Sequence, residues 1–346
     1  MKTLELFNIE TPQIPTATVW LLNDLAEYRG KQELFTKQAP QKLAKLKEHA
    51  IIESAVSSNR IEGVEIEHKR IGTVVFGKGL LSDRNEEEVR GYQAALALIH
   101  SDSAKIKISS STIKKLHSLI RPDIWDSGKF KKEDGDIIEK HPDGRITVRF
   151  KPTPAAETAD ATKEMCSLYD TLLKHKETPP LLIWAAQNLD FLCIHPFRDG
   201  NGRVSRLLLL LSLYQLGFEA GRYISLERII EQSKERYYET LQQSSHGWHK
   251  GRHNPWPYIN YLLYTLKELY QEFEQRVGTI SAPKGEKTGM IVAAIDRLQK
   301  PFTVSDIRKT CPGVSVDLIR KVLVSLKGSR VECLGRGQSA KWRRLN

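Results

Sequence analysis

The sequence lacks any apolar run long enough to cross a membrane. The leucine-rich run at residues 207–213 is far too short, since a transmembrane helix needs about 20 predominantly apolar residues. Acidic residues interrupt the apolar positions near the N-terminus, which is unlike the continuous apolar segment of a signal peptide. We therefore expect no membrane partner and no export.

Cysteine is scarce, with four residues in a chain of 346. Cys166, Cys193, Cys311 and Cys333 are widely spaced and form no C-x-x-C pair, so the sequence offers no disulfide framework. Scattered thiols are typical of a reducing compartment, and we expect a cytoplasmic protein. Internal repeats are also absent, and 40% hydrophobic residues suffice for a globular core.

The usual nucleotide-binding motifs are missing as well: there is no P-loop, and no G-x-G-x-x-G follows a strand pattern. What the chain does contain is H-P-F-R-D-G-N-G-R-V-S-R at residues 195–206, between two mostly apolar segments, 181–194 and 204–218. The pattern predicts a helix-loop-helix unit. Because Pro196 disfavours helical geometry for the preceding residue, the first helix should stop at or just before His195, with that residue extended.

This loop combines the residue types that phosphate chemistry needs. A histidine with an ordinary pKa of about 6.5 can act as a general base, and Asp199 is a hard oxygen ligand suited to Mg²⁺. Glycines on both sides of Asn201 allow a tight turn whose backbone N–H groups can surround an anion. Arg203 and Arg206 share one helical face, where both guanidinium groups can bind phosphate. Each feature alone is common, but their combination in twelve residues favours a phosphate site.

Every fixed position of residues 195–206 matches H-P-F-x-D/E-G-N-G-R-x-x-R, the signature of the Fic family, which the chain closely resembles. The resemblance implies a protein adenylyltransferase that moves AMP from ATP to a Ser, Thr or Tyr hydroxyl of a target protein, with Mg²⁺ on the departing pyrophosphate. A nucleotide donor other than ATP remains an alternative. It implies that His195 is the general base, that Asp199 holds the metal, and that the nucleotide is bound by Gly200, Asn201, Gly202, Arg203, Arg206, Tyr237 and Tyr238.

A second motif lies upstream, in I-I-E-S-A-V-S-S-N-R-I-E-G at residues 51–63. Ser58 and Glu62 are four apart on one helical face, and Gly63 is a natural left-handed cap. By composition alone this is a short surface helix ending in glycine. It resembles, however, the S/T-x-x-x-E-G/N inhibitory motif of Fic proteins, which implies that Glu62 pairs with Arg206 and withholds it from the γ-phosphate, while Ser58 helps hold the glutamate. Such a glutamate also directs water for AMP removal in some relatives, so a bifunctional or mainly AMP-removing enzyme is an alternative.

Residues 146–151 alternate after a D-G turn at Asp143 and Gly144, which predicts a hairpin. In Fic proteins a hairpin before the signature is the flap that pairs with the target, although a hairpin without function fits the pattern as well. The resemblance assigns the docking role to Thr147, Val148 and Arg149.

Downstream the chain departs from its relatives. Ser245 stands where some have asparagine, and it opens the unusual stretch S-H-G-W-H-K-G-R-H. The three histidines His246, His249 and His253 have no Cys or Glu partners at zinc-like spacing. We therefore interpret the stretch as a solvated basic loop.

Helical runs dominate, for example residues 41–61, 86–100 and 258–275. We predict a mostly α fold, with an all-helical Fic core that carries a small β-hairpin flap, followed by a winged helix-turn-helix domain. The linker 281–289 marks the main boundary. The expected domains are an N-terminal helical region with the inhibitory helix (1–105), the Fic catalytic domain (106–280) and the winged helix (281–346).

The winged helix is predicted from helices at 290–298, 304–309 and 316–326 and from hairpin strands at 330–334 and 339–343. Residues 284–346 hold 14 Lys and Arg against 5 Asp and Glu, a net charge of +9 in a chain of +11. DNA is therefore a possible partner, and a protein-protein or dimerisation module, with a homodimer, is the alternative. The basic residues suited to phosphate contacts are Arg320, Lys321, Lys327, Arg336, Lys341, Arg343 and Arg344.

Two classes of function compete. The first is a self-inhibited adenylyltransferase that modifies a target protein and also itself; the second is a DNA-binding regulator whose Fic core senses nucleotide or is silent. The intact signature favours the enzyme, because a silent core would be free to lose His195 or Asp199.

Overall fold

The structure is a computed structural model that describes residues 2–9, 13–36, 40–77, 79–122, 124–140, 144–278, 286–298, 301–311, 314–335 and 340–345. The chain forms two compact units, residues 1–277 and 278–346. Residues on both sides of position 105 lie in the same unit, so the finer division at that position stays a prediction.

The described part of the first unit is helical apart from one hairpin. Its helices are α1 (Lys2–Ile9), α2 (Thr16–Thr36), α3 (Pro40–Ile61), α4 (Ile71–Phe76), α5 (Arg84–Asp102), α6 (Ser110–Ile120), α7 (Ala155–His175), α8 (Pro180–Ile194), α9 (Asn201–Gln215), α10 (Leu226–Gln232), α11 (Lys234–Ser245) and α12 (Trp256–Gly278). The helices predicted at 41–61, 86–100 and 258–275 are confirmed, with ends that differ by at most three residues.

Helix α8 forms the centre of this unit. All its residues from Leu181 to Ile194 are buried, as expected for a helix that is apolar on every side. Helices α1, α7, α9 and α11 pack against it. Because α8 leads directly into the loop at 195–200, this packing fixes where the loop begins.

A buried carboxylate on α8 holds α1. Asp190 accepts the N–H groups of Thr3 and Leu4, both at 2.9 Å, and the Nε1–H of Trp248 at 2.6 Å. The two backbone donors belong to the first turn of α1, where N–H groups have no partner inside the helix. Burial raises the pKa of Asp190. Asp190 therefore caps α1 across 187 residues of sequence.

The predicted hairpin is confirmed. Strand β1 (Ile137–Lys140) pairs antiparallel with β2 (Ile146–Phe150), with Ile138 opposite Val148. Gly144 has φ +82° in the connecting turn, a region that favours glycine. Asp143, the other predicted turn residue, lies outside the described residues.

The described residues of the second unit form helices α13 (Glu286–Arg297), α14 (Val304–Thr310) and α15 (Val316–Ser325) and the antiparallel strands β3 (Val331–Cys333) and β4 (Trp342–Arg344). Phe302 pairs with Trp342, which joins the hairpin to the helices. These elements follow the predicted order, and the winged-helix assignment stays a prediction. Arg336, residues 281–285, and the Pro312 and Gly313 turn lie outside the described residues.

The fold is thus mostly α with two small hairpins among the described residues, as predicted. No helix in that part of the chain is long and apolar enough to span a bilayer.

Candidate nucleotide site

The loop at 195–200 begins where α8 ends. His195 adopts left-handed geometry, with φ 51° and ψ 63°, and its N–H donates to the Phe191 carbonyl at 2.9 Å. The predicted helix end is confirmed, but the predicted extended conformation of His195 is wrong. A left-handed residue directly after a helix lets its N–H satisfy one more carbonyl of the last turn, and this bond is made although Pro196 follows.

The ring of His195 is held as one tautomer. Nδ1 lies 3.3 Å from the Leu192 carbonyl; because a carbonyl only accepts, the proton sits on Nδ1 and Nε2 is left as an acceptor. Burial, and to a smaller extent the charge of Lys131, lowers the pKa of His195 to about 4. The expectation of an ordinary value is wrong, because the ring is partly enclosed by the protein, where its charged form is disfavoured.

Bonds within the loop close it around Gly200. Asn201 accepts the Phe197 N–H at 2.9 Å and donates to the Phe197 carbonyl at 2.7 Å, so its buried side chain shapes the loop. Gly200 has φ +81°, and its N–H donates to Asp199 at 2.6 Å. Helix α9 begins at Asn201, so Arg203 lies in its first turn as predicted. Residues 200–202 therefore form a helix N-terminus, where backbone N–H groups and the helix dipole favour an anion.

Two carboxylates and three arginines form a charge cluster beside the loop. Arg121 donates to Asp199, Arg203 donates to Glu88, and Arg84 donates to Glu88 at 2.9 Å. Arg121 Nη1 also lies 3.6 Å from Glu88. The side chains of Glu88, Arg121 and Arg203 are almost fully buried, whereas that of Asp199 is 53% exposed.

The exposed carboxylate of Asp199 has the properties of a metal ligand. Burial alone would raise the pKa of Asp199, but the charges of Arg121 and Arg203 lower it below its usual value. An ionised, half-exposed carboxylate fits one position of a Mg²⁺ ion whose other ligands are phosphate oxygens and water. Among the described residues, no group of three His, Cys, Asp or Glu could hold a metal without such additional ligands.

Arg203 points into the protein. Its Nη1 donates to Asn59 at 3.1 Å as well as to Glu88, and its side chain is only 2% exposed. From the sequence we predicted that Arg203 and Arg206 are equivalent phosphate ligands, but the structure places them in different surroundings. A contact between Arg203 and the nucleotide stays a prediction.

Arg206 faces the motif at 58–62. Its Nε donates to the Ser58 hydroxyl, and its Nη2 donates to the Ser58 carbonyl and to Glu62 Oε1, each at 2.8 Å. The Ser58 hydroxyl therefore holds the arginine, and not the glutamate as the motif suggested. Within the described part of the chain, Arg206 Nη1 is buried without a hydrogen-bond partner. Burial would lower the pKa of Arg206, but Glu62 raises it above its usual value.

Glu62 also lies against the N-terminus of α9. A Cβ added to Gly202 would lie 2.2 Å from Glu62 Oε1, so glycine leaves the room that the carboxylate occupies. The side chain of Glu62 remains 30% exposed. Glu62 thus sits where a helix N-terminus would stabilise an anionic ligand.

These groups line one cavity of about 370 Å³. Its wall includes Glu62, Ile138, Arg149, Phe150, His195, Gly202, Tyr237, Tyr238, Gln242 and Ser245. From the flap, Arg149 donates to Gln242 at 3.2 Å, and its guanidinium lies 5.7 Å from the centre of the Tyr238 ring. Thr147 and Val148 are exposed on the same strand. The cavity therefore brings the flap, the paired tyrosines and the loop together.

Comparison with known proteins identifies the central part of the chain. Residues 107–213 match the sequence model of the Fic/DOC family. This region is therefore similar to the domain of the Fic/DOC family. The match contains the flap and both Asp199 and His195, whereas Ser58, Glu62 and the paired tyrosines lie outside it.

Relatives extend the likeness beyond the Fic domain. The chain is 29% identical over 247 residues to a Nematostella vectensis protein named protein adenylyltransferase Fic, an alignment that covers 68% of this chain and 53% of the relative. The chain thus spans about half the length of this curated relative.

Solved structures show the same fold. A Fic family protein from Desulfovibrio desulfuricans G20 has a TM-score of 0.63 at 18% identity, covering 97% of this chain and 98% of its own. A Fic domain containing signaling protein from Bacteroides thetaiotaomicron VPI-5482 has a TM-score of 0.61 at 20% identity, covering 75% of this chain and 98% of its own.

Some residues that support the loop at 195–200 were not identified from the sequence, among them His117 on α6. His117 stacks on Phe197 with ring centres 3.9 Å apart, accepts the Gly128 N–H at 3.0 Å, and lies 3.1 Å from the Asp199 carbonyl. Since the Gly128 N–H only donates, the His117 proton must sit on the nitrogen facing Asp199. A single histidine in an amphipathic helix gives no signal of this role.

The histidine-containing stretch at 245–253 exposes most of its basic residues, as interpreted, but it is also anchored by buried side chains. Trp248 and His253 are buried, and His253 lies 3.0 Å from the Thr3 hydroxyl. His249 is exposed but touches the end of the flap, 2.6 Å from the Lys151 carbonyl. Because basic residues dominate this stretch, nothing in its sequence indicated that Trp248 is buried.

Proposed function

We propose that the chain is a self-inhibited protein adenylyltransferase. The observation that carries this proposal is the 2.8 Å contact between Glu62 and Arg206, at the cavity that His195 and the paired tyrosines also line. The similarity to the Nematostella vectensis protein adenylyltransferase supports the activity. ATP is the expected donor, and a hydroxyl side chain of another protein is the acceptor.

In the proposed reaction, Nε2 of His195 takes the proton from the target hydroxyl, and the hydroxyl oxygen attacks the α-phosphorus of ATP. The bond to the departing pyrophosphate breaks, and AMP stays on the target. Backbone N–H groups of residues 200–202 bind the phosphates at the N-terminus of α9. Asp199 would hold Mg²⁺, which supplies positive charge to the pyrophosphate.

The flap and the tyrosines position the two substrates. Strand β2 pairs with β1 along one edge, and an extended target segment can add to the other edge by main-chain hydrogen bonds. This is the role proposed for Thr147, Val148 and Arg149. Tyr237 and Tyr238 would lie beside the base of the nucleotide.

Self-inhibition follows from the position of Glu62. The carboxylate neutralises Arg206 and lies over Gly202, so neither group is available to the γ-phosphate. ATP can then bind only in poses that misalign its α-phosphorus, and alignment is most of what this kind of catalysis requires.

The experiment incubates the purified chain and its Glu62→Gly variant with labelled ATP and Mg²⁺, with a cell lysate as the source of targets. We expect the variant to label protein at least about tenfold more. Equal or weaker labelling by the variant would contradict self-inhibition, and no labelling by either chain would contradict the transferase.

AMP removal is a second candidate activity of the same site. The observation that favours it is that Glu62 is partly exposed to the cavity lined by His195, where a carboxylate can direct water. A target labelled by the Glu62→Gly variant should lose its AMP when the native chain is added. Stable label would exclude this activity.

The second unit is a candidate DNA-binding module. Helix α15 exposes Arg320 and Lys321 and buries Ile319, Val322 and Leu323 against its own core. We expect residues 284–346 to shift duplex DNA at low salt, with affinity that falls steeply as salt rises. No shift at low salt would favour the protein-interaction or dimer alternative.

A further inference from the structure

The flap needs support from outside its own two strands. A two-stranded hairpin is marginally stable by itself, and exposed residues such as Val148 contribute little burial to it. On the side of α11, Arg149 bonds Gln242. A second support lies at the C-terminal end of β2, where the stretch at 245–253 meets the strand.

His249 makes this second contact in two ways. Its ring stacks on Phe150, with centres 5.5 Å apart and planes inclined by 11°, within the range of favourable aromatic pairs. Its Nε2 lies 2.6 Å from the Lys151 carbonyl; because a carbonyl only accepts, Nε2–H is the donor. One side chain thus holds both the side chain and the backbone at the end of β2.

The other side of His249 rests on a rigid support. The Trp248 ring meets the His249 ring edge to face, with centres 5.0 Å apart. Trp248 is buried, and its Nε1–H donates to Asp190 in the middle of α8 at 2.6 Å. A continuous series of contacts therefore runs from α8, the helix that positions His195, through Trp248 and His249 to the flap.

We propose that His249 is a positioning residue that fixes the C-terminal end of β2, and with it the position of the flap beside the cavity. Phe150 lines the cavity together with His195, so a shift of this strand end moves the edge on which a target would dock. For its effect on catalysis the inference rests on the proposed transferase function. Its effect on the flap itself does not.

Hydrogen exchange of the full chain tests the support directly. His249→Ala should speed exchange of the amides at 146–151 by about threefold to tenfold, the size expected for losing one hydrogen bond and a ring contact. His249→Phe keeps only the stack, His249→Gln keeps only a donor, and each should give a smaller change. His246→Ala, at the exposed end of α11, is the matched control and should leave the flap unchanged. Exchange in His249→Ala equal to that of the native chain would overturn the proposal.

A second measurement separates positioning from a purely structural role. In the Glu62→Gly background, labelled ATP is followed into protein-bound AMP and into free AMP released by water. His249→Ala should lower the protein-bound share, since water needs no docking strand. Faster flap exchange with an unchanged share would overturn the positioning role. Absence of protein-bound AMP even in the Glu62→Gly parent would contradict the transferase, while the exchange result would still decide whether His249 supports the flap.

Discussion

Arg203 and Arg206 lie one turn apart on α9, yet their charges are balanced in different ways. Arg203 bonds Glu88, a buried carboxylate on α5. Arg206 bonds Glu62, whose side chain is 30% exposed at the cavity. The Glu88 carboxylate lies inside the protein, whereas that of Glu62 lines the cavity.

This difference separates a structural charge from an available one. A buried carboxylate cannot leave its arginine without leaving an unpaired charge in the interior, which is strongly unfavourable. Glu62 follows the end of α3 and is 30% exposed, so its carboxylate can move into solvent although Arg206 itself is buried. The two arginine sites should therefore respond in opposite ways to loss of their carboxylates.

The histidine at the start of the loop, His195, gives the largest expected effect. His195→Ala should lower AMP transfer by about 10²–10⁴, the usual cost of a positioned general base, while nucleotide binding stays largely intact. Transfer is measured with labelled ATP in the Glu62→Gly background, and binding by calorimetry with ADP. Transfer near the parent rate would show that His195 is not the general base.

Loss of the buried carboxylate should cost stability. Glu88→Ala leaves Arg203 buried without its partner, which typically costs about 3–5 kcal/mol of unfolding free energy. Chemical denaturation followed by tryptophan fluorescence measures this cost. The control is Glu87→Ala on the same helix, which should cost less than about 1 kcal/mol. If Glu88→Ala were as stable as the control, the contrast between the two arginines would fail.

Loss of the cavity carboxylate should instead raise activity. We expect Glu62→Gly to increase AMP transfer, including self-modification, by at least about tenfold. Glu65→Gly, an exposed glutamate three residues later, is the matched control. Arg206→Ala should lower transfer even in the Glu62→Gly background, because in the proposed mechanism the arginine itself binds the γ-phosphate. Unchanged transfer in Glu62→Gly would remove the distinction.

A smaller effect is expected from Ser58→Ala. The hydroxyl accepts from Arg206 Nε, so its loss loosens the arginine on the side of the inhibitory turn. Because Arg206 keeps its bonds to Glu62 and to the Ser58 carbonyl, transfer should rise by only a few-fold. The same labelling assay checks this, and an increase larger than that of Glu62→Gly would place the inhibition on Ser58.

The smallest expected effect concerns pH. Since burial lowers the pKa of His195 to about 4, its Nε2 stays unprotonated on mild acidification. Transfer in the Glu62→Gly background should change less than about twofold between about pH 7.5 and 5.5, whereas an ordinary histidine would lose about tenfold. Because this pKa lies below the unfolded value of about 6.5, stability falls as pH drops from about 6.5 through 4, so circular dichroism must show folded protein at each pH. A tenfold loss would mean that His195 titrates as if exposed.

Local features of this molecule were predictable and distant partners were not. The helices around 195–206 and the hairpin at 146–151 follow from nearby residues, and the position of Glu62 beside Arg206 followed from the resemblance to Fic proteins. Glu88 and Asn59, however, meet Arg203 across 115 and 144 residues of sequence, and no spacing rule connects them.

The conformation of His195 shows a second reason for the difference. The preference of a residue before proline for extended geometry is an average over many proteins. His195 departs from it, adopts left-handed geometry and donates its N–H to the Phe191 carbonyl. Likewise, only the folded surroundings of His195 reveal its lowered pKa. The sequence predicted a general base at His195, whereas the packing around the ring lowers its pKa.

The anchoring of α1 by Asp190 has a consequence for biosynthesis. The ribosome makes Thr3 187 residues before Asp190, which at a typical rate of 5–20 residues per second is a delay of about 10–40 s. An isolated helix of this length is not stable in water, so the segment with Leu4 and Phe7 has no stable helical partner during that time. The first helix of the chain therefore cannot reach its capped position before α8 has been made.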